Sequence, residues 1–386
     1  MKIVKALAAA ALMASPALAE TPGVSDTEIK IGGAHDLSGI FAPFSVPAVK
    51  AANVYFDEVN ANGGVHGRKI TYITEDHGYQ VPRAAQAANK LINRDEVFAM
   101  LLSLGTPMNL AMFQQMEPKG IPNVSPLTGA RQMVEPPAPW KFAGTATYYD
   151  ASVASLEYMA DNEGTEKVCM MLLPTDFGNE IKAAAVELAE QGKFELGVES
   201  GHKPDESDFT GALGRVREAG CDTVALALGV GQIINVVVTA NKLGMTDTKF
   251  YVSTAGFHTV VAKALAQQGV MSGLYAGGAW QDLEKRVSNP AVAEWVQKYT
   301  AATGEDFPST GAILGRSAAE TMVRALEAAG PDLTREGFIA AMESLDFFDE
   351  ISGAQVNYSA EDHIGSDAIF LHKINSGSWE LVQTLN

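Results

Sequence analysis

Cysteine is scarce in this sequence, with only Cys169 and Cys221 among 386 residues. Two cysteines form at most one disulfide, which excludes a small secreted domain held together by several bridges. Each cysteine lies at the edge of an apolar run, so one bridge and two buried thiols remain alternatives. Neither cysteine has histidines at the spacing of a metal site, and we assign no metal.

Basic residues and long apolar runs are also few. The chain has 28 lysines and arginines against 46 aspartates and glutamates, a net charge of −18. This acidic balance argues against a nucleic-acid-binding surface. After residue 20, no segment approaches the roughly 18 uninterrupted apolar residues that a membrane-spanning helix needs. With 47% hydrophobic residues, the chain is long enough for two domains with buried cores.

Sequence motifs of catalysis are missing as well. The turn at Gly229 and Gly231 has Ile234 where the dinucleotide-binding fingerprint needs its third glycine, and no GxxxxGK[ST] phosphate loop is present. Ser317 lacks the second glycine of a nucleophile elbow and falls in a helical pattern. The seven histidines form no HExxH pair. Combined with the secretory signal and the two-lobed α/β pattern described below, these absences favour binding over catalysis, and we predict no enzyme activity and no cofactor.

The beginning of the chain has the pattern of a secretory signal. Lys2 and Lys5 precede an apolar run that ends in the small residues Ala17 and Ala19. We therefore predict a signal peptide over residues 1–19, cleaved after Ala19. A membrane anchor is the alternative, but the apolar run is too short to span a bilayer.

Residues 97–130 contain the pattern around which the first half of the chain is organised. An apolar run ends in a small polar turn with Gly105 and Thr106, and a second short strand ends in a similar turn with Thr128 and Gly129. Strand, turn, helix, strand and turn form the unit of a parallel sheet. Such sheets bind ligands beyond the carboxyl ends of their strands, where hydroxyls and free N–H groups can hold an anion.

The same alternation of strands and helices continues along the rest of the chain. A second series of strands and helices begins near Lys167, and three helices and a hairpin follow it. Irregular segments near residues 146–149 and 277–281 interrupt the pattern. Two similar α/β halves joined by irregular segments predict two lobes around a cleft.

Five segments of the chain together are specific for one family. They are the run from Ile29 to Gly39, NANGGVHGRK at 60–69, AANKL at 87–91, GIPNVSP at 120–126 and DFG at 176–178. With them, the chain resembles the type I periplasmic solute-binding proteins of ABC transporters, in the branched-chain amino acid-binding (Leu/Ile/Val-binding-like) branch. The resemblance implies an α/β fold of two doubly wound, Rossmann-like lobes joined by three hinge crossovers, which close over a ligand.

The resemblance also implies how the chain divides and where it works. The predicted N-terminal lobe comprises residues 20–146 with 280–348, and the C-terminal lobe residues 147–279 with 349–386. The implied location is the periplasm. The implied partners are a small-molecule ligand and an ABC transporter permease in the inner membrane, and we expect a monomer that binds no nucleic acid.

The family's pocket, carried onto this sequence, provides a set of candidate ligand-binding residues. Thr106 falls at the position whose hydroxyl binds the ligand carboxylate, and Leu127 and Gly129 fall where backbone groups face the ligand. Gly229 and Ala312 stand where larger residues are expected. The predicted set is Thr106, Gly105, Leu127, Thr128, Gly129, Phe44, Phe41, His35, Tyr148, Tyr149, Phe177, Gly229, Ala255, Phe257 and Trp280.

The predicted ligand class depends on Ala255. Family members that bind α-amino acids have an acid at this position, and a buried ammonium without a counter-charge costs several kcal/mol. The aromatic residues of the predicted cleft favour a flat apolar body instead. We therefore predict an aromatic or apolar carboxylate. The alternative is a branched-chain or other apolar amino acid, whose ammonium would pair with Asp76 or Asp150.

Two further questions stay open at this point. His35 and His258 are either ligand contacts or hydrogen-bonded loop histidines. The function is most simply that of a transport receptor, which captures a solute and delivers it to a permease. A periplasmic ligand sensor of the same fold is the alternative class.

Overall fold

The computed structural model describes residues 21–385, so the predicted signal peptide lies outside the described residues. The strands are β1 (Glu28–His35), β2 (Lys69–Asp76), β3 (Ala99–Leu101), β4 (Asn123–Val124), β5 (Lys141–Phe142), β6 (Lys167–Leu172), β7 (Glu195–Gly201), β8 (Thr223–Ala227), β9 (Lys249–Val252), β10 (Leu274–Gly278), β11 (Asp346–Asp349), β12 (Ala354–Asn357), β13 (Ile369–Asn375) and β14 (Ser378–Leu385). The helices are α1 (Ala42–Ala61), α2 (Val81–Asn93), α3 (Thr106–Met116), α4 (Tyr148–Asn162), α5 (Asp176–Glu190), α6 (Thr210–Glu218), α7 (Val230–Lys242), α8 (Thr259–Gln267), α9 (Pro290–Thr303), α10 (Thr310–Ala329) and α11 (Arg335–Met342). Among these helices, none has both the length and the apolar character required to cross a membrane.

The first sheet has the order β2-β1-β3-β4-β5, and all neighbouring strands are parallel. The three residues of β3 are fully buried, as expected for a strand covered on both faces. Side chains of α1, α10 and α11 pack on one face of this sheet, and those of α2 and α3 on the other. Helices on both faces and a parallel sheet define a doubly wound lobe.

Two glycines let α10 approach α1 closely. A Cβ on Gly311 would lie 2.3 Å from the carbonyl oxygen of Phe44, and a Cβ on Gly315 would lie 2.1 Å from that of Ala48. No side chain fits at either distance, so the approach requires glycine. It holds α10 firmly against the rest of the first lobe.

The second sheet has the order β14-β13-β10-β9-β8-β6-β7. Strands β6 to β10 are parallel and repeat the order of the first sheet, while β13 and β14 add antiparallel pairs at one edge. The predicted fold of two doubly wound lobes is confirmed. Cys169 of β6 and Cys221, just before β8, form a disulfide. Of the two alternatives for the cysteines, one bridge or two buried thiols, the bridge is therefore the one present.

Three crossovers connect the sheets and bond to one another. The first follows β5, the second follows β10, and the third contains the small antiparallel sheet of β11 and β12. Ala143 of the first crossover accepts from the Gly365 N–H of the third (2.8 Å), and Gln281 of the second donates to Ser352 of the third (3.0 Å). The lobe boundaries at residues 146, 279 and 348 stay a prediction.

Two segments interpreted as irregular have regular structure. Tyr148 and Tyr149 form the first turn of α4, which begins after the N-cap residue Thr147. Gly277 and Gly278 are the last residues of β10. Glycine inside a strand often marks a bulge or a close approach of another backbone, so the two glycines do not by themselves indicate a loop.

Candidate ligand-binding site

A cavity of about 110 Å³ lies between the two lobes. One buried water occupies roughly 10–15 Å³ of such space, so this volume suits a ligand of on the order of ten non-hydrogen atoms. The predicted residues that line the cavity are Phe41, Phe44, Gly105, Thr106, Leu127, Thr128, Gly129, Tyr148, Phe177, Ala255 and Trp280. Their contact with a ligand stays a prediction.

His35 and Phe257 belong to the cores of their lobes and do not line the cavity. The His35 Nε2 lies 2.9 Å from the Tyr72 hydroxyl. Burial lowers the pKa of His35 to about 3, so its ring is neutral. Phe257 stacks on His372 with ring centroids 4.3 Å apart. His35 ends β1, but side chains at a strand end point to either face of the sheet, and Phe257 lies in the loop between β9 and α8.

Gly229 contacts the opposite lobe and not the cavity. A Cβ on Gly229 would lie 3.2 Å from the Cβ of Ile40, which belongs to the first lobe. Ile40 therefore occupies the space beside Gly229, where the family resemblance leads one to expect an aromatic wall. Ala312, the other small residue at such a position, is fully buried and does not line the cavity.

Tyr149 also lies outside the cavity, beside an ion pair that joins the lobes. The Arg131 Nε donates to Glu180 Oε2 at 3.0 Å, and the Arg131 backbone N–H donates to the same oxygen at 3.1 Å. Glu180, on α5, is only 3% exposed. The Tyr149 ring lies 3.8 Å from the Arg131 guanidinium. Tyr149 thus supports lobe contact rather than the cavity wall.

His258 forms a second contact between the lobes. Its Nδ1 accepts from the Val260 N–H at 3.0 Å, so its Nε2 carries the hydrogen and donates to the Pro43 carbonyl at 3.1 Å. Burial lowers the pKa of His258 to about 4. The histidine is therefore a hydrogen-bonded loop residue, the second of its two predicted roles.

Neutral hydrogen-bond donors cluster at one part of the cavity. The hydroxyls of Thr106 and Thr128 lie 2.7 Å apart, and both residues are buried. Their mutual bond uses one of two hydroxyl hydrogens, which leaves one to donate to a ligand. Burial raises the pKa of Tyr148, while the Gly129 N–H and the Thr128 side chain lower it, and the net shift is upward. The Tyr148 hydroxyl stays protonated and is a further donor.

The first turn of α3 adds backbone donors beside these side chains. Thr106 is the first residue of α3, and the N-cap Gly105 has φ 93°, a conformation that favours glycine. N–H groups in the first turn of a helix have no intrahelical partner, and the helix dipole favours negative charge there. A carboxylate suits this part of the cavity without a cationic side chain.

Two residues of the cavity wall have unusual backbone conformations. Leu102 follows β3 with φ 56°, and Ser125 follows β4 with φ 44°. The left-handed region costs a non-glycine residue roughly 1–2 kcal/mol. Strain of this kind is common at functional sites, and here it lies at the two turns where the sequence pattern placed the site.

Aromatic rings from both lobes form the apolar part of the wall. Phe41 of the first lobe meets Phe177 of the second edge to face, with centroids 6.0 Å apart. Phe41 also packs against Tyr79 at 4.7 Å, and Tyr148 against Phe177 at 5.1 Å. Because these rings line the cavity from both lobes, a flat apolar ligand packed against them would touch both lobes.

Sequence reasoning missed the part of the wall that comes from α10 and the third crossover. Leu314, Ser317, Ala318 and Thr321 follow one another at helical spacing on one face of α10 and line the cavity. The helical period predicts such a face but does not say what it contacts. The sequence pattern therefore predicts a helix here but not its contact with the cavity.

Asp349, on the third crossover, is a further lining residue that sequence reasoning missed. It lines the cavity, whereas the two acids suggested as partners of an ammonium, Asp76 and Asp150, do not. Asp76 instead accepts from the Leu37 N–H at 2.9 Å. Asp349 ends β11, and the sequence pattern did not predict a strand there.

The fold and this cavity define a two-lobed solute-binding protein. The sequence profile described as "Periplasmic binding protein" matches residues 28–378. The chain therefore belongs to the periplasmic binding protein family. Members of this family are non-enzymatic solute-binding components of ABC transporters, which confirms the prediction of a binding protein rather than an enzyme.

Individual relatives agree with this assignment. The chain is 20% identical over 330 residues to Leu/Ile/Val-binding protein homolog 8 of Brucella abortus (strain 2308), covering 83% of this chain and 81% of that protein. A fatty acid ABC transporter substrate-binding protein from Thermomonospora curvata is 25% identical, with a TM-score of 0.85 over 95% of this chain and 94% of that one.

Two more distant structures share the fold alone. The solute-binding protein of an ABC transporter from R. palustris, in complex with benzoate, has a TM-score of 0.80 at 18% identity over 92% and 96% of the two chains. A branched chain amino acid ABC transporter protein from Thermus thermophilus with bound valine has a TM-score of 0.83 at 18% identity over 93% and 97%.

Proposed function

We propose that this protein captures a small aromatic or apolar carboxylate in the cavity between its lobes and delivers it to the permease of an ABC importer. The observation that carries the proposal is that the neutral donors of Thr106 and Thr128 and the rings of Phe41 and Phe177 share one cavity wall. Within residues 21–385, the lining includes no lysine, arginine or histidine, and Asp349 is its single carboxylate. Neutral donors would hold the ligand carboxylate, and the aromatic wall its body.

Closure of the lobes over the ligand follows from where the contacts lie. Thr106 and Phe41 belong to the first lobe, Phe177 and Ala255 to the second. A ligand that touches both sets stabilises the conformation in which the lobes meet. The contacts of Arg131 with Glu180 and of His258 with the Pro43 carbonyl form in that conformation. Delivery of the ligand to the permease requires the two lobes to open again.

A branched-chain or other apolar amino acid is the second candidate ligand. The loop with Thr254 and Ala255 presents no acid to the cavity, which counts against an ammonium at the family's usual position. The buried carboxylate of Asp349 is the specific observation in its favour. A periplasmic sensor would use the same cavity and differ only in the partner.

We predict that benzoate and cinnamate bind more tightly than leucine and valine. Burying one aromatic ring against Phe41 and Phe177 in the cavity contributes roughly 3 kcal/mol, and no ammonium then has to be desolvated beside Ala255. Titration calorimetry with all four compounds measures the difference, and small-angle scattering at saturation measures compaction. Tight binding of leucine, with no response to either aromatic acid, would establish the amino-acid function instead.

We predict that Thr106→Ala weakens binding of the preferred carboxylate by about tenfold to a hundredfold, the value of one hydrogen bond to a charged group. The helix is expected to remain intact because its N-cap is Gly105, not Thr106. Thr106→Ser is the matched control, since it keeps the hydroxyl and should keep most of the affinity. Equal affinities for all three proteins by calorimetry would place the anchor elsewhere in the cavity.

A further inference from the structure

Asp349 has one carboxylate oxygen that the protein leaves without a partner. The residue is 1% exposed and lines the cavity. Its Oδ1 accepts from the Ile351 N–H at 2.8 Å. Its Oδ2 is buried and has no hydrogen-bond partner among residues 21–385. A buried carboxylate oxygen in this state is costly, so a partner supplied from the cavity would be strongly stabilising.

Neighbouring charges do not supply that partner. Arg286 interacts electrostatically with Asp349, but its guanidinium donates to the carbonyl oxygens of Ile351 (2.7 Å) and Glu350 (2.6 Å). Within the described part of the chain, Arg286 forms no ion pair with Asp349. Its positive charge offsets part of the cost of the buried carboxylate, yet leaves Oδ2 free to accept a hydrogen bond.

We infer that Asp349 is a specificity-determining residue, which accepts a hydrogen bond from a hydroxyl or ammonium group of the ligand. The inference rests on the proposed function and deepens it: the preferred ligand is a carboxylic acid that also carries a hydrogen-bond donor. Thr106 and Thr128 bind its carboxylate, and Asp349 binds its donor. An acid without the donor leaves the Asp349 oxygen unpaired in the closed cavity.

Matched pairs of ligands test the inference on the unaltered protein. In each pair, one compound has the donor and the other lacks it: 4-hydroxybenzoate against benzoate, 4-hydroxycinnamate against cinnamate, and leucine against 4-methylpentanoate. We expect the donor to increase affinity by about tenfold or more, measured by calorimetry. Preference within the first two pairs identifies a hydroxyl as the donor, and preference within the third identifies an ammonium.

Asp349→Asn then assigns the preference to this residue. Asparagine has the same shape and keeps an acceptor for the Ile351 N–H, but it places an N–H₂ donor where Oδ2 was. The variant should lose the preference for the donor while still binding the compound that lacks it. Asp282→Asn is the control, because Asp282 is also a buried crossover acid whose Oδ2 has no partner among the described residues, but it does not line the cavity.

The outcomes separate this inference from the proposed function. If the wild-type protein binds both members of every pair equally, or if Asp349→Asn keeps the preference, the inference is overturned and the proposed function stands. If the wild-type protein binds none of these carboxylates, the proposed function fails and the inference fails with it. Equal binding within every pair overturns the inference even if the variant does not fold.

Discussion

Reduction of the disulfide between Cys169 and Cys221 is expected to lower the free energy of unfolding by about 4 kcal/mol. The two cysteines are 52 residues apart in the sequence. A bridge over a loop of this length restricts the unfolded chain, which is the main source of its stabilising effect. Urea unfolding of the oxidised and the reduced protein, followed by circular dichroism, measures the difference.

The double variant Cys169→Ala with Cys221→Ala is the control for the chemistry of reduction. It removes the bridge without reductant, although it also leaves a small void in the core. Ligand affinity should not change in either form at low urea, because neither cysteine lines the cavity. Identical urea midpoints for the oxidised and the reduced protein would contradict the prediction.

Acid is expected to destabilise the protein strongly between pH 7 and pH 4.5. Burial lowers the pKa of His35 to about 3, and the pKa values of His258 and His372 to about 4 each. In the unfolded chain these rings have a pKa of about 6.5, so the unfolded state takes up protons first as the pH falls. The stabilisation is complete above pH 6.5 and decreases towards the folded-state pKa values. The loss by pH 4.5 is about 3 kcal/mol for each histidine.

Urea unfolding at half-unit steps of pH measures how the free energy of unfolding depends on pH, and His372→Phe tests the cause of that dependence. The His372 ring stacks on Phe257, so phenylalanine keeps the packing and removes the titrating group. This variant should lose about a third of the pH dependence. A flat profile in the wild-type protein would refute the prediction.

Part of the candidate site was accessible from the sequence because it follows a local rule. Thr106, Leu127 and Gly129 lie in turns that directly follow short apolar strands, and ligands bind at the carboxyl ends of parallel strands. An apolar run followed by a small polar turn is visible in the sequence. The structure brings these turns together at the cavity, although their contact with a ligand stays a prediction.

The same rule selected residues that lie elsewhere. His35 ends β1 and Gly229 follows β8, as the rule requires. The His35 ring turns into the core towards Tyr72, and Gly229 lies against Ile40 of the other lobe. A strand's end marks the edge of the sheet, but the direction of a side chain there depends on what packs against it.

The sequence by itself determined the fold class, most of the alternation of strands and helices, and two of the turns that form the cavity, because periodicity and turn chemistry act over a few residues. Only the tertiary structure decided that Asp349 and the face of α10 join Thr106 in one wall, and that Cys169 and Cys221 are bonded. Asp349 is more than 240 residues from Thr106 in the chain. Contacts over such separations depend on how the lobes and crossovers pack, and no local pattern encodes that packing.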